Sequence, residues 1–154
     1  MFAAMRSERM EALHLFSDPA TGLEAVVAIH NTRLGPALGG CRYLAYNSLD
    51  DALADAMRLA RGMSYKAALA GLEQGGGKAV ILRQPHIADR AALFEAFGRC
   101  IESLRGGYIT AVDSGTSSAD MDCIAQHTAH VTSTTHAGDP SPHTALGVLA
   151  GMRS

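Results

Sequence analysis

Lysine is the scarce side chain here. Lys66 and Lys78 are the only lysines among 13 lysine and arginine residues in a chain of 154, so arginine serves wherever else a cation is needed. Arginine holds its charge in any protein environment, whereas a buried lysine can shed its proton near neutrality and act as a base. Two lysines kept in one short stretch suggest amine chemistry, although two surface lysines would read the same from pattern alone. Three glycines, Gly75, Gly76 and Gly77, abut Lys78, and a backbone without Cβ can take positive φ and come close to a ligand. A third candidate, Asp113, follows the strand-like Tyr108-Ile109-Thr110-Ala111-Val112 and precedes Ser114-Gly115-Thr116, a turn into a helix. A carboxylate at a strand end in a layered α/β domain is well placed for proton transfer, while a turn or capping aspartate is the commoner use of such a residue. A phosphate-binding loop of the form G-x-x-x-x-G-K-[ST] is excluded. Leu72 stands where its first glycine belongs, and Ala79, which has no hydroxyl, follows Lys78.

The elements that must position these groups alternate along the chain. Residues 10–16 and 23–30 read as two strands of a hairpin across the turn cluster Ser17–Gly22. Residues 34–44 are glycine-rich yet bounded by strand formers: either a strand with a bulge or backbone amides exposed beside a ligand. Ser48 caps a helix whose first-turn Asp50 and Asp51 complement the helix dipole, and its apolar spacing carries it to about Lys66. A strand over 78–83 follows, then an amphipathic helix from Asp89 to Leu104 stopped by Gly106-Gly107. The strand 108–112 leads to a helix over 119–126 capped by Thr116 or Ser117. Val131-Thr132-Ser133 reads as one more strand, and Ser141-Pro142-His143-Thr144 opens a last helix. Strand and helix in alternation predict a layered α/β domain. There is no G-x-G-x-x-G, so no dinucleotide fingerprint, and the last helix reaches Ser154 without a stop signal. The expectation is a first domain over 1–140, with 141–154 beginning a hinge helix towards a second domain.

Composition narrows the field further. Apolar residues make up 47% and aromatics 5%, with no tryptophan, which favours close packing by small side chains. A net charge of −2 and a pI near 6.4 give no electrostatic case for nucleic acid or an anionic membrane surface. No apolar run reaches the roughly 18 residues of a spanning helix. The opening residues carry charge too early for a signal peptide, so a cytoplasmic protein is expected. Cys41, Cys100 and Cys123, odd in number and irregularly spaced, do not suggest a disulfide framework. Cys123 and His127 share a helical face, but His130, His136 and His143 lack paired ligand spacing, and no metal site is expected.

Five segments together resemble the glutamate/leucine/phenylalanine/valine dehydrogenase family, especially its leucine dehydrogenase branch. They are Leu34-Gly-Pro-Ala-Leu-Gly-Gly-Cys-Arg42, Gly62-Met-Ser-Tyr-Lys66, Gly75-Gly-Gly-Lys78, Asp113-Ser-Gly-Thr116 with Asp120-Met-Asp122, and Ser141-Pro-His-Thr144-Ala-Leu-Gly147. The resemblance spans essentially the whole chain. It implies a three-layer α/β sandwich with a mixed, mostly parallel sheet. It also implies a substrate-binding and oligomerising domain, whose Rossmann partner domain would carry the NAD. The activity implied is oxidative deamination of an apolar L-amino acid to its 2-oxo acid and ammonia. By the same resemblance Lys66 would pair with the substrate carboxylate. Lys78, its proton loosened by burial and a neighbouring cation, would polarise the 2-carbon oxygen and activate water. Asp113 would relay protons to and from the amino group. Gly39 and Gly40 would lie against the substrate backbone, with Leu38 and Met63 facing its side chain. Partners implied are the small-molecule substrate, further copies of the chain in a dimer or larger homo-oligomer, and a separate nucleotide-binding chain. Where the family usually carries Glu before the aspartate, this chain has Val112, which would alter how that aspartate's acidity is set. The chain alone is expected to be inactive. The rival reading is a non-catalytic amino-acid-binding or dimerising remnant, though such a remnant has no need of Lys66, Lys78 and Asp113.

Overall fold

The computed structural model describes residues 1–138 and 140–153. A five-stranded sheet forms its middle layer, in the order β1-β2-β4-β3-β5. Its strands are β1 (Ala12–Asp18), β2 (Leu23–Asn31), β3 (Ala37–Leu44), β4 (Gly75–Leu82) and β5 (Tyr108–Val112). The β1–β2 and β2–β4 pairings are antiparallel, while β4–β3 and β3–β5 are parallel. Only β2 therefore runs against the other four strands, and the sheet is mixed with one prevailing direction.

The alternation of side chains along the strands decides what covers each face. Val26, Ala28 and Val80 point towards α2 (Leu49–Leu69), packing on Ala52, Leu53, Ala56, Met57 and Ala60. Ala25, Val27, Cys41, Tyr43, Ala79 and Ile81 point the other way, onto α3 (Arg90–Ser103) and α4 (Ser118–Ala125) through Phe94, Phe97, Ile101, Met121 and Ile124. Two helical layers around one sheet give the three-layer sandwich. Caps fix the helix starts: Ser48 accepts from the Asp51 amide, Asp89 from the Ala92 amide, and Ser117 forms a capping box with Asp120.

Several local expectations change. α1 (Phe2–Glu8), which the sequence did not suggest, rests on α2 through an Arg61–Glu8 ion pair of 2.8 Å. β1 starts at Ala12, and α2 continues three residues past Lys66. Val131 makes only an isolated parallel bridge to Thr110. The last helix, α5 (Ser141–Arg153), buries no residue; its predicted final position, Ser154, lies outside the described residues.

The larger correction concerns the glycines before Lys78. They belong to β4, and none of the three has a positive φ. Their smallness serves packing instead. A Cβ on Gly76 would lie 2.2 Å from the Ser64 backbone nitrogen, and one on Gly77 would lie 2.7 Å from the Tyr108 ring. Ala52, Ala56 and Ala60, four residues apart and fully buried, line α2 above the same sheet face, with Ser64 the next step along that row. Helix and strand approach so closely there that only glycine fits opposite Ser64.

Candidate functional site

Lys78 leaves β4 on the face covered by α2 and is 5% exposed. Its ammonium is ion-paired with Asp113 Oδ2. Asp113 is the first residue beyond β5, and its turn is tightly held. Its amide donates to Thr116 Oγ1 at 2.8 Å, and the Thr116 hydroxyl lies 3.0 Å from the Cys41 carbonyl oxygen. Gly115 turns the chain at φ 85°, where a Cβ would lie 2.1 Å from the Tyr43 carbonyl oxygen. Gly40 makes room for the aspartate: its own Cβ would fall 2.6 Å from that of Asp113.

Burial by itself would raise the Asp113 carboxyl. The hydrogen bond and charge of Lys78, the Ser114 amide and the charge of Arg42 outweigh it and hold the group below the usual carboxylate range. Val112 packs towards the α3 core. An acid at 112 would therefore project to the opposite face of the sheet, so the family's usual glutamate is not what the Asp113 side chain meets here. Beneath the pair, burial pushes the Tyr108 hydroxyl well above its ordinary value and also raises the Cys41 thiol, so both stay neutral.

Lys66 stands exposed on α2. It borders a small cavity of about 150 Å³ lined chiefly by Leu38, Met63, Ala67, Ala70 and Leu72. Leu38 pairs with Gly76, two residues along the strand from Lys78, or about 7 Å. The cavity and the Lys78–Asp113 pair therefore share one face of the sheet. Asp113 also borders a larger hollow of about 640 Å³, formed with Ser114, Thr116, Ser117, Ser141 and Thr144 at the start of α5.

The sequence model of the Glu/Leu/Phe/Val dehydrogenase dimerisation domain matches residues 11–130. The chain belongs to the Glu/Leu/Phe/Val dehydrogenase family. It is 51% identical to the leucine dehydrogenase of Geobacillus stearothermophilus over 158 aligned residues, covering 100% of this chain and 43% of that protein. It is 50% identical to the valine dehydrogenase of Streptomyces virginiae, covering 94% of this chain and 41% of that one. The solved L-tryptophan dehydrogenase from Nostoc punctiforme superposes with a TM-score of 0.83 at 40% identity, over 98% of this chain and 43% of that chain. The chain thus spans less than half the length of the relatives it matches.

In this family member, the positions singled out from sequence fall into two groups. Lys78 and Asp113 touch one another, while Leu38, Met63 and Lys66 line one cavity. Gly39 and Gly40 are buried in β3, where the Gly77 carbonyl and the Asp113 side chain fill the space their Cβ atoms would need. Sequence reasoning passed over Arg42, Asp55 and Tyr108. Arg42 lies 3.4 Å from Asp113 Oδ2 and 2.7 Å from Asp55 Oδ2, and Tyr108 donates its hydroxyl to the Gly39 carbonyl at 2.6 Å. A signal existed for Asp55, an acid set beside the buried alanine stripe of a helix. Among the described residues no three His, Cys, Asp or Glu side chains converge as a metal site, and no helix is long and apolar enough to cross a membrane.

Proposed function

We propose that this chain is the substrate-handling domain of a cytoplasmic amino-acid dehydrogenase that oxidises an apolar L-amino acid to its 2-oxo acid and ammonia. The observation that carries the reading is the ion pair of buried Lys78 with half-buried Asp113, set on the same sheet face as an apolar cavity with Lys66 at its rim. An iminium-forming deamination needs a group that takes and returns protons at the 2-carbon, and a desolvated lysine touching a carboxylate can do so. In this scheme Lys66, as an exposed ammonium, anchors the substrate carboxylate. Leu38 and Met63 receive an aliphatic side chain. Lys78 polarises the 2-carbon oxygen and takes a proton from the attacking water, while Asp113 exchanges protons with the amino group. The names of the relatives, leucine, valine and tryptophan dehydrogenases, support an apolar substrate.

NAD is the hydride acceptor in this proposal, and it supplies the two-electron oxidation when bound. The sequence carries no G-x-G-x-x-G, and the turn after β5, Asp113 to Ser117, has one glycine, so this chain's own residues do not fit as its seat. The domain is further proposed to associate with copies of itself, in keeping with the family's dimerisation-domain description.

The test has two arms. In the first, the chain is mixed with a separately produced nucleotide-binding domain of a leucine dehydrogenase, NAD and a panel of L-amino acids, and reduced cofactor is followed by absorbance. In the second, calorimetry measures binding of branched-chain 2-oxo acids to the chain and to Lys78→Met. Turnover above either half alone, or 2-oxo acid binding that Lys78→Met abolishes, supports the reading. Neither turnover nor binding would leave the non-catalytic remnant as the better account.

A further inference from the structure

The pair just described does not stand alone on its face of the sheet. Arg42 projects from β3 beside Asp113, and its Nε lies 3.4 Å from Oδ2, the same oxygen that Lys78 engages. The other arm of the guanidinium is committed: Nη1 donates to Asp55 Oδ2 on α2 at 2.7 Å. Asp55 is itself held, by the Tyr46 hydroxyl at 2.8 Å and by Arg58 Nη2 at 2.6 Å. Charges therefore alternate from β4 to α2: Lys78, Asp113, Arg42, Asp55, Arg58. Four of these side chains are largely shielded, at 7% exposure for Lys78, 21% for Asp113, 19% for Arg42 and 18% for Asp55.

We infer that Arg42, anchored by Asp55, is the positioning residue for Asp113, holding the carboxylate against Lys78 and supplying a permanent counter-charge when the lysine gives up its proton. The proton traffic in that statement rests on the proposed dehydrogenase chemistry; the arrangement itself does not. A guanidinium suits the task because it is planar and forked, so one edge reaches each carboxylate, and it does not itself lose its proton. Without it, a neutral Lys78 would leave Asp113 half-buried with no cation beside it, and the carboxylate would take up the proton. Among the described residues, the groups that favour the Asp113 carboxylate are Lys78 from β4, Arg42 from β3 and the Ser114 amide of its own turn. Cys41 and Tyr108 stay neutral, and Asp55 acts only through Arg42. Asp55 also sits on the helix that bears Met63 and Lys66, so the chain of charges ties the proton-handling pair to the helix lining the substrate cavity.

The test is a carboxyl titration, read by NMR on the chain labelled with ¹³C-aspartate, with Asp113→Asn assigning the signal. Arg42→Gln is expected to raise the Asp113 midpoint by about one pH unit or more, the scale of an opposite charge removed at this range. Arg42→Lys, which keeps the charge and loses the fork, should fall between the parent and Arg42→Gln. In Asp55→Asn the Arg42 Nε–H resonance should be lost to solvent exchange. An unchanged Asp113 midpoint in a folded Arg42→Gln overturns the inference. Should that variant fail to fold, Arg42→Lys decides: an upward displacement supports it and an unchanged midpoint overturns it. The outcome is separable from the functional reading. Absence of both turnover and 2-oxo acid binding would sink the dehydrogenase proposal and leave the titration standing, and an unmoved Asp113 would do the reverse.

Discussion

Tyr108 shows how a side chain away from Lys78 and Asp113 shapes the strands that carry them. Its ring occupies the space a Cβ on Gly77 would need, and its buried hydroxyl donates to the Gly39 carbonyl at 2.6 Å, with the Gly40 carbonyl at 3.3 Å. Gly39 and Gly40 pair with Thr110 and Ala111 of β5, and they fall between the Leu38↔Gly76 and Cys41↔Ala79 pairs of the β3–β4 register, where the hydroxyl adds a bond from outside the ladder. Tyr108→Phe keeps the ring and removes the buried donor to the Gly39 carbonyl. The expected loss is about 1–3 kcal/mol of unfolding free energy, the usual penalty for an unsatisfied buried polar group. It should come with faster amide exchange across 38–41; unchanged stability and exchange would show that water replaces the hydroxyl. At this scale the sequence was readable only in part. Lys78 and Asp113 stood out because lysine is rare here and because a carboxylate ended a strand. Arg42 and Asp55 did not, since their meaning lies in a contact between a strand and a helix 13 residues apart, and one arginine among many carries no such mark.

At the scale of elements, α2 on β4 decides where the lysines end up. The close approach of Ser64 to Gly76 sets the depth at which α2 lies, and with it the position of Met63 and Lys66 over the cavity. Two glycine substitutions separate space from backbone freedom. Gly76→Ala would press a methyl against the Ser64 nitrogen and the Ala60 carbonyl oxygen, at 2.2 and 2.6 Å, and is expected to cost at least about 2 kcal/mol by overpacking. Gly62→Ala, on the exposed side of the same helix with nothing within 4 Å, should instead stabilise by about 0.5–1 kcal/mol, as alanine does within a helix. Urea unfolding of both variants checks the contrast, and a similar effect from the two would refute the packing argument. The same pair explains what the sequence could and could not convey. Apolar runs between turn signals placed β1 to β5, and caps placed α2, α3 and α4, to within a few residues, because those signals are local; α1 carried no such signal, and the run at Val131 forms only one bridge. Three consecutive glycines suggest backbone free to approach a ligand, yet here they form a tightly packed strand. That packing depends on a helix and a tyrosine that arrive from elsewhere in the chain.

On the whole-molecule scale, the sandwich and α5 behave as different materials. The sandwich has two dense cores, whereas α5 leaves Leu146, Val148, Leu149 and Met152 exposed and buries nothing. Leu146→Gln with Met152→Gln should therefore leave the urea midpoint where it is; a clear drop would mean that α5 packs on the sandwich. Acid, by contrast, should reach the sandwich in two stages. Burial keeps His14 and His30 from protonating at their ordinary value of 6.5, so both are held lower in the folded state. Asp55, Asp113 and Asp120 are held below 3.8, because the cations and hydrogen-bond donors around each outweigh the opposing effect of burial. In both sets the unfolded chain binds protons that the folded chain refuses, so stability rises with pH through each window. The histidine contribution is whole above 6.5 and is lost as pH falls from there towards the lowered folded values. The aspartate contribution persists down to about 3.8 and is lost below, as the carboxylates protonate and their ion pairs break. Urea midpoints at about pH 8, about 5.5 and about 3.5 should step down twice. The double variant His14→Gln, His30→Gln should abolish the first step and leave the second, since Arg42, Lys78 and Arg90 still hold the aspartates. A parent protein equally stable at the two higher pH values would mean that His14 and His30 accept protons in the fold, and would remove the first stage of this account.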